Sequence, residues 1–238
     1  MLISVSYYTA IGKRETNEDA VSFQEGDGSF LAIVADGLGG HSRGEVASGE
    51  AVSSISRLLK DKEPEEDALV KAIRQASENI YALRKDNIPL HTTVTVLWLG
   101  EKKSYVANVG DSRIYQFRDG KIIFQSLDHS VAQMAVLIGE IDPSEIRMSK
   151  DRNRLIRALG DGNETKVDIH PIEICAGDQL LLCSDGFWEA VTEEDMLCRL
   201  SESDSVHSWL QQMRALVDSR NKATQDNHTA IAIWTKDR

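Results

Sequence analysis

Cysteine is scarce in this chain: three in 238 residues, Cys175, Cys183 and Cys198. An odd number at that spacing builds neither a zinc site nor a disulfide framework. Cys175 and Cys183 lie in or beside apolar runs and read as core residues, so a reducing, cytoplasmic setting is expected. Basic charge is also short. Lys and Arg total 27 against 38 Asp and Glu, a formal net charge of −11, which argues against nucleic acid or an anionic membrane as a main partner. No apolar run approaches the roughly 20 residues of a membrane helix. The stretch from Met1 to Tyr8 lacks the basic region and apolar core of a signal peptide. Internal repeats, linkers and low-complexity segments are missing too. One domain over residues 1–238, acting as a monomer, is the simplest expectation.

What the chain does have is a real core and a pattern of acids. Apolar residues make up 41% of it, far from a disordered composition. Two apolar runs end in carboxylates: residues 30–35 lead into Asp36-Gly37, and residues 179–184 lead into Asp185-Gly186. Two others begin with them: Glu18-Asp19 opens residues 20–23, and Asp226-Asn227 opens residues 229–234. If these strands pair antiparallel, all four sets fall on one rim of one sheet. Crowded carboxylates repel and call for a cation. Ligands that are all oxygen point to a hard divalent ion, Mg²⁺ or Mn²⁺.

Periodicity places strands at residues 2–8, 20–24 and 30–35, with the turn Glu25-Gly26-Asp27-Gly28 between the last two. Past the glycine-rich loop Gly37-Leu38-Gly39-Gly40-His41, helical spacing predicts helices over about 44–60 and 66–85. Strands follow at 92–99, 103–109 and 113–118, and Asp119-Gly120 turns into another at 121–124. Residues 128–163 are polar, basic and broken by Pro143, and read as a surface flap rather than core. Strands return at 167–170 and 179–184, helices at about 193–200 and 204–221, and a last strand at 229–234. Paired helices and tightly linked strands do not give the alternation of a parallel sheet. They predict an α+β fold, a four-layer α-β-β-α sandwich of two antiparallel sheets flanked by helix pairs.

Five segments in order carry a resemblance: residues 14–19 (Arg14 to Asp19), 34–41 (Val34 to His41), 108–115 (Asn108 to Tyr115), 182–186 (Leu182 to Gly186) and 226–229 (Asp226 to Thr229). Together they closely resemble the metal-dependent serine/threonine protein phosphatases of the 2C type (PPM family), in the compact bacterial form, over roughly residues 5–234. The resemblance implies a two-metal centre at one end of the sandwich. Phosphoserine and phosphothreonine in proteins would be hydrolysed there by a metal-activated water. By position, Asp36 corresponds to the carboxylate bridging both Mn²⁺ or Mg²⁺ ions, and the Gly37 carbonyl ligates one of them. Asp185 and Asp226 hold the other, and Glu18 and Asp19 act mostly through ordered waters. Asp111 corresponds, with Asp185, to a weaker third site, and Arg14 to the arginine that binds the substrate phosphate. An arginine fork suits phosphate oxygens and keeps its proton. The implied partners are phosphorylated proteins and a cognate Ser/Thr kinase.

Plainer readings stand beside these. An Asp before Gly at a strand end is ordinarily a turn residue; Arg14 alone is a surface charge; Asp111 can simply shape a turn with Ser112 and Arg113. Asp128-His129 reads as a helix N-cap and its neighbour, and Thr92 and Thr93 as strand residues near the site. His41 has two roles open to it, proton donor or substrate-positioning group or helix-start packing, because the histidine of animal members stands where this chain has Leu38. No cysteine is followed six residues later by arginine, and no G-x-x-x-x-G-K-[S/T] loop occurs. Two further readings remain: a non-catalytic relative that binds phosphoprotein, and an enzyme dedicated to a single regulator.

Overall fold

The computed structural model describes residues 1–26, 28–38, 43–85, 88–220 and 224–237. In chain order the strands are β1 (Leu2–Ala10), β2 (Asp19–Gly26), β3 (Ser29–Leu38), β4 (His91–Thr92), β5 (Val94–Gly100), β6 (Tyr105–Val109), β7 (Arg113–Arg118), β8 (Lys121–Gln125), β9 (Asp168–Pro171), β10 (Gln179–Cys183) and β11 (His228–Lys236). The helices are α1 (Gly44–Leu59), α2 (Glu66–Ala82), α3 (Val131–Leu137), α4 (Asp185–Trp188), α5 (Glu193–Ser201) and α6 (Val206–Ser219), with a 3₁₀ turn at Pro143–Met148. One sheet runs β1-β11-β10-β7-β8, the other β2-β3-β5-β6-β9 with β4 beside β3. Every pairing among the described strands is antiparallel.

The near-continuous apolar runs are strands buried on both faces. Along β3 the side chains alternate: Leu31, Ile33 and Ala35 pack towards α1 and α2, while Phe30, Ala32 and Val34 meet the second sheet. β10 and β11 do the same, with Leu181, Cys183, Ala230 and Ala232 towards α6 and Leu180, Leu182, Ile231 and Ile233 inward. A strand's period of two feeds both layers at once. The helices add one apolar stripe each, Leu69, Ile73, Ala76 and Ile80 from α2 and Trp209, Leu210, Met213 and Val217 from α6. The result is the expected four layers, with three apolar interlayers. No described helix is long and apolar enough to cross a membrane.

Three expectations are corrected. The carboxylates do not share one sheet rim. Asp19 and Asp36 belong to the β2–β3 pair of one sheet, whereas Asp185 follows β10 and Asp226 precedes β11 in the other. They gather because the two sheets stack, not because four strands pair. The strand expected over 92–99 breaks at Thr93, which turns aside to bond Asp36. And the flap is not simply surface. Its outer side exposes Leu137, Ile138 and Met148, yet Asp128, His129, Ser130, Ala132, Ile146 and Leu159 are buried.

Asp128 is not the cap of α3; Ser130 is, accepting the Gln133 N–H. Asp128 instead takes a two-point bond from Arg113, at 2.8 and 2.7 Å, with both side chains no more than 4% exposed. Arg113 also lies 3.6 Å over the Trp188 ring. Removing Asp128 leaves the buried Arg113 charge only a longer, 3.3 Å contact to the partly exposed Glu193, and breaking a buried pair in this way costs about 3–5 kcal/mol. Asp128→Ala is therefore expected to lower unfolding free energy by that amount in urea titrations; a loss under about 1 kcal/mol, typical of exposed pairs, would contradict the structure.

Candidate active site

Asp19 and Asp36 are direct partners in the β2–β3 register, and like charges placed opposite one another destabilise a sheet. The surroundings hold both rigidly. The Asp36 N–H donates to Thr93 Oγ1 at 3.0 Å. Its carbonyl accepts from the Thr93 N–H and from Thr92 Oγ1, both at 2.8 Å. A Cβ on Gly37 would stand 2.2 Å from the Gly44 carbonyl oxygen and 2.7 Å from that of Glu18, so only glycine lets α1 and the β2 entrance close over this strand end. Glu18 lies at the start of α1, where its carboxylate accepts the Gly44 N–H at 3.0 Å, the end of the helix that favours an anion.

The other sheet supplies Asp185 and Asp226. Ser184 Oγ donates to Asp19 Oδ2 at 2.8 Å and accepts the Thr229 N–H at 2.9 Å, tying the sheets together beneath the acids. Asn227 accepts the Glu18 N–H at 2.8 Å and donates to the Ile11 and Thr16 carbonyls at 2.8 and 3.0 Å. It thereby fixes the loop carrying Arg14. Arg14 Nη2 bonds Asp226 Oδ2 at 2.5 Å. Asp111, 3% exposed, sits in the turn between β6 and β7, its carbonyl accepting from Trp188 Nε1 at 2.8 Å.

These residues surround a cavity of about 190 Å³. Its walls include Arg14, Glu18, Asp36, Gly37, Asp111, Asp185 and Asp226, together with Leu38 and the flap residues Asn153 and Leu155. Asp19 lies beside it, buried. Roomier cavities of about 320 and 730 Å³ elsewhere bring together no comparable set of carboxylates.

Burial, then mutual repulsion, drives the cluster's protonation upward. Asp36 and Asp185 are both raised well above the carboxylate range, by burial first and then by the neighbouring acids, Asp19, Asp185 and Asp111 around Asp36 and Asp111 and Asp226 around Asp185. Asp19 is pushed to about 6 by burial, against the bond from Ser184. Asp111 rises to about 7, through burial and then the nearby Asp128 charge. Glu18 is raised as well, chiefly by burial.

Among the described residues, no three such side chains close on a single point as a finished cation cage. Asp226 is turned onto Arg14 and Glu18 onto Gly44. The donor set still fits a hard divalent ion. It is all oxygen, and two buried carboxylate oxygens, Asp19 Oδ1 and Asp185 Oδ1, have no hydrogen-bond partner among the described residues. A buried unpaired carboxylate oxygen costs free energy that a cation would recover.

The structure thus brings together Arg14, Glu18, Asp19, Asp36, Gly37, Asp111, Asp185 and Asp226. His41 lies outside the described residues. Sequence reasoning assigned no role to Ser184, Asn227, Asn153 or Leu155. Asn227 and Ser184 adjoin predicted acids in the segments already singled out, and that adjacency was the available signal; Asn153 and Leu155 carried none.

The sequence model of the family described as Protein phosphatase 2C matches residues 8–226. The serine/threonine protein phosphatase PstP of Mycobacterium tuberculosis (strain CDC 1551 / Oshkosh) is 35% identical over 190 residues, 77% of this chain but 36% of that protein. This chain therefore matches little more than a third of PstP's length. The serine/threonine phosphatase stp of Listeria monocytogenes serotype 4b (strain F2365) is 33% identical over 193 residues, 77% of each. A crystal structure of the PstP catalytic domain in complex with two manganese ions superposes with a TM-score of 0.83 at 29% identity, covering 99% of both chains. With the family model matching most of the chain and a relative 35% identical over 77% of it, one conclusion follows: the chain belongs to the protein phosphatase 2C family.

Proposed function

We propose that this protein is a metal-dependent protein serine/threonine phosphatase, one catalytic domain over residues 1–238 with a flap over 128–163. Its substrates are phosphorylated proteins, and it opposes a Ser/Thr kinase. The observation that carries the reading is the pair of buried carboxylate oxygens with no hydrogen-bond partner among the described residues, within a cluster of raised-pKa acids. The manganese in the related PstP structure supports Mn²⁺ or Mg²⁺ as the cofactor.

Asp36, the Gly37 carbonyl, Asp185 and Asp226 would hold two divalent ions. Glu18 and Asp19 would act mostly through ordered water, and Asp111 would serve a third ion with Asp185. When bound, such ions supply positive charge and acidify water near neutral pH. The chain's own groups do the rest. Thr92 and Thr93 lock the Asp36 backbone, and Ser184 and Asn227 hold Asp19 and Glu18 in register across the two sheets. Arg14 is about half exposed and faces the cavity. It can exchange Asp226 for a phosphate dianion, which its fork fits at two points. His41 stays a candidate, on sequence grounds, for handing a proton to the departing Ser or Thr oxygen.

The test is release of phosphate from a phosphothreonine peptide by folded protein with Mn²⁺, with and without EDTA. Turnover is expected only with metal. In the same assay Arg14→Ala should raise KM by roughly ten- to a hundredfold, the worth of a charge-assisted bond to a dianion, with a smaller change in kcat. A folded, Mn²⁺-loaded protein that releases no phosphate would overturn the reading.

A further inference from the structure

His129 stands at the root of the flap, 4% exposed. Its ring and its backbone both reach the turn that carries Asp111. Nδ1 accepts the Gly110 N–H at 3.1 Å, and the His129 N–H donates to the Gly110 carbonyl at 2.9 Å. On its far side Nε2 meets Asp168 Oδ2 at 3.0 Å. Asp168 is itself held by Arg157 Nη1 at 2.7 Å. An Nδ1 that accepts must leave the proton on Nε2, where Asp168 receives it. The Nε2–H tautomer therefore satisfies both ring nitrogens; Arg157 Nη1, which also lies 3.3 Å from Nε2, then spends its hydrogen on Asp168 at 2.7 Å.

The turn is pinned at every residue. Gly110 is held by His129, the Asp111 carbonyl by Trp188 Nε1, and Ser112 Oγ by Thr93 Oγ1 at 2.7 Å. It has no slack: Gly110 has φ +105°, and a Cβ there would lie 2.6 Å from Thr93 Cβ. The His129 ring is the only one of these contacts that the flap root makes through a side chain. Its carbonyl accepts the Ile156 N–H at 2.9 Å, supporting the strip that presents Leu155 to the cavity. That bond belongs to the backbone and survives a change of side chain.

We propose that His129 is a positioning residue: its Nε2–H tautomer, set by Asp168, holds the Gly110 N–H and so fixes where the Asp111 carboxylate stands. The inference rests on the metal-dependent reading of the site, and its test does not need turnover. Binding of Mn²⁺ alone is measured by calorimetry on wild type, Asp111→Asn, His129→Ala and His129→Asn. Asp111→Asn identifies the phase to which Asp111 contributes. His129→Ala should weaken that phase by roughly ten- to a hundredfold, the usual effect of losing a group that orients a ligand, and leave the tighter phases alone. His129→Asn, whose Oδ1 can take the Gly110 N–H, should recover most of the loss. Nitrogen-15 spectra of the wild-type imidazole should show the proton on Nε2. Four results would each overturn the proposal: an isotherm indifferent to Asp111→Asn, a wild-type isotherm from folded His129→Ala, no recovery in His129→Asn, or a proton on Nδ1.

Discussion

Asp36→Asn is expected to erase phosphate release and, in chelator, to raise the unfolding temperature. The two effects share a cause. Asp36 carries a strongly raised pKa from burial and from Asp19, Asp185 and Asp111. Asparagine copies its neutral, proton-bearing form. The backbone keeps its bonds to Thr92 and Thr93. Near neutral pH the aspartate must take up a proton on folding and asparagine need not, a gain on the order of 1 kcal/mol or more, so melting in chelator should rise by roughly 2–4 °C. The same change removes the charge that would serve both cations. Mn²⁺ affinity should fall by more than about a hundredfold, beyond the usual effect of altering a ligand's outer partner, and turnover should fall to background. Calorimetry and the phosphothreonine assay on one preparation decide it. A variant that melts lower in chelator, or that keeps wild-type Mn²⁺ affinity, would remove Asp36 from the centre of the site.

The acids were legible because a charge at the end of an apolar run is expensive to bury, and Asp36 and Asp185 both stand there. Strand positions were legible for a related reason. With both faces covered, β3, β10 and β11 read as unbroken apolar runs. Which strands share a sheet was not legible. Asp19 and Asp36 are near neighbours in sequence, but Asp226 returns to them from 190 residues or more away, and only stacking of the two layers joins the pairs. The bonds made by the uncharged helpers were hidden for another reason: Ser184 and Thr93, though placed beside the site by their neighbours, are the residue types any strand end carries. Asp128 looked like a helix cap because its buried partner, Arg113, lies fifteen positions upstream. The four-residue α4 is shorter than one helical repeat of side chains can signal.

The stabilisation that Mn²⁺ confers is expected to grow as pH rises from about 5 to about 8. In the folded chain Asp19 titrates near 6 and Asp111 near 7, with Asp36 and Asp185 also raised. An unfolded Asp titrates near 3.9. Between these values the native state holds more protons than the unfolded one, so stability without metal falls as pH rises through the window. The cost at pH 8 is on the order of a few kcal/mol, since one pKa unit corresponds to about 1.4 kcal/mol. Other groups act in the opposite sense. Asp168, Asp178, Asp195 and Glu193 have lowered pKa values, and what they contribute is lost only below about pH 4. His91, His129 and His228 are lowered chiefly by burial, so they add stability as pH rises through about 6.5. A single curve in chelator mixes all of these. The difference between curves with and without Mn²⁺ cancels the groups far from the cation and keeps the cluster, whose acids must lose their protons to bind it. At a hundred times its dissociation constant a ligand adds about 2.7 kcal/mol. Because affinity rises as the acids ionise, that increment should widen by a further few kcal/mol across the window. Urea unfolding at pH 5, 6, 7 and 8, with Mn²⁺ and with chelator, measures it directly. A gap that stays constant across this range would mean that the cation is not held by Asp19, Asp36, Asp111 and Asp185.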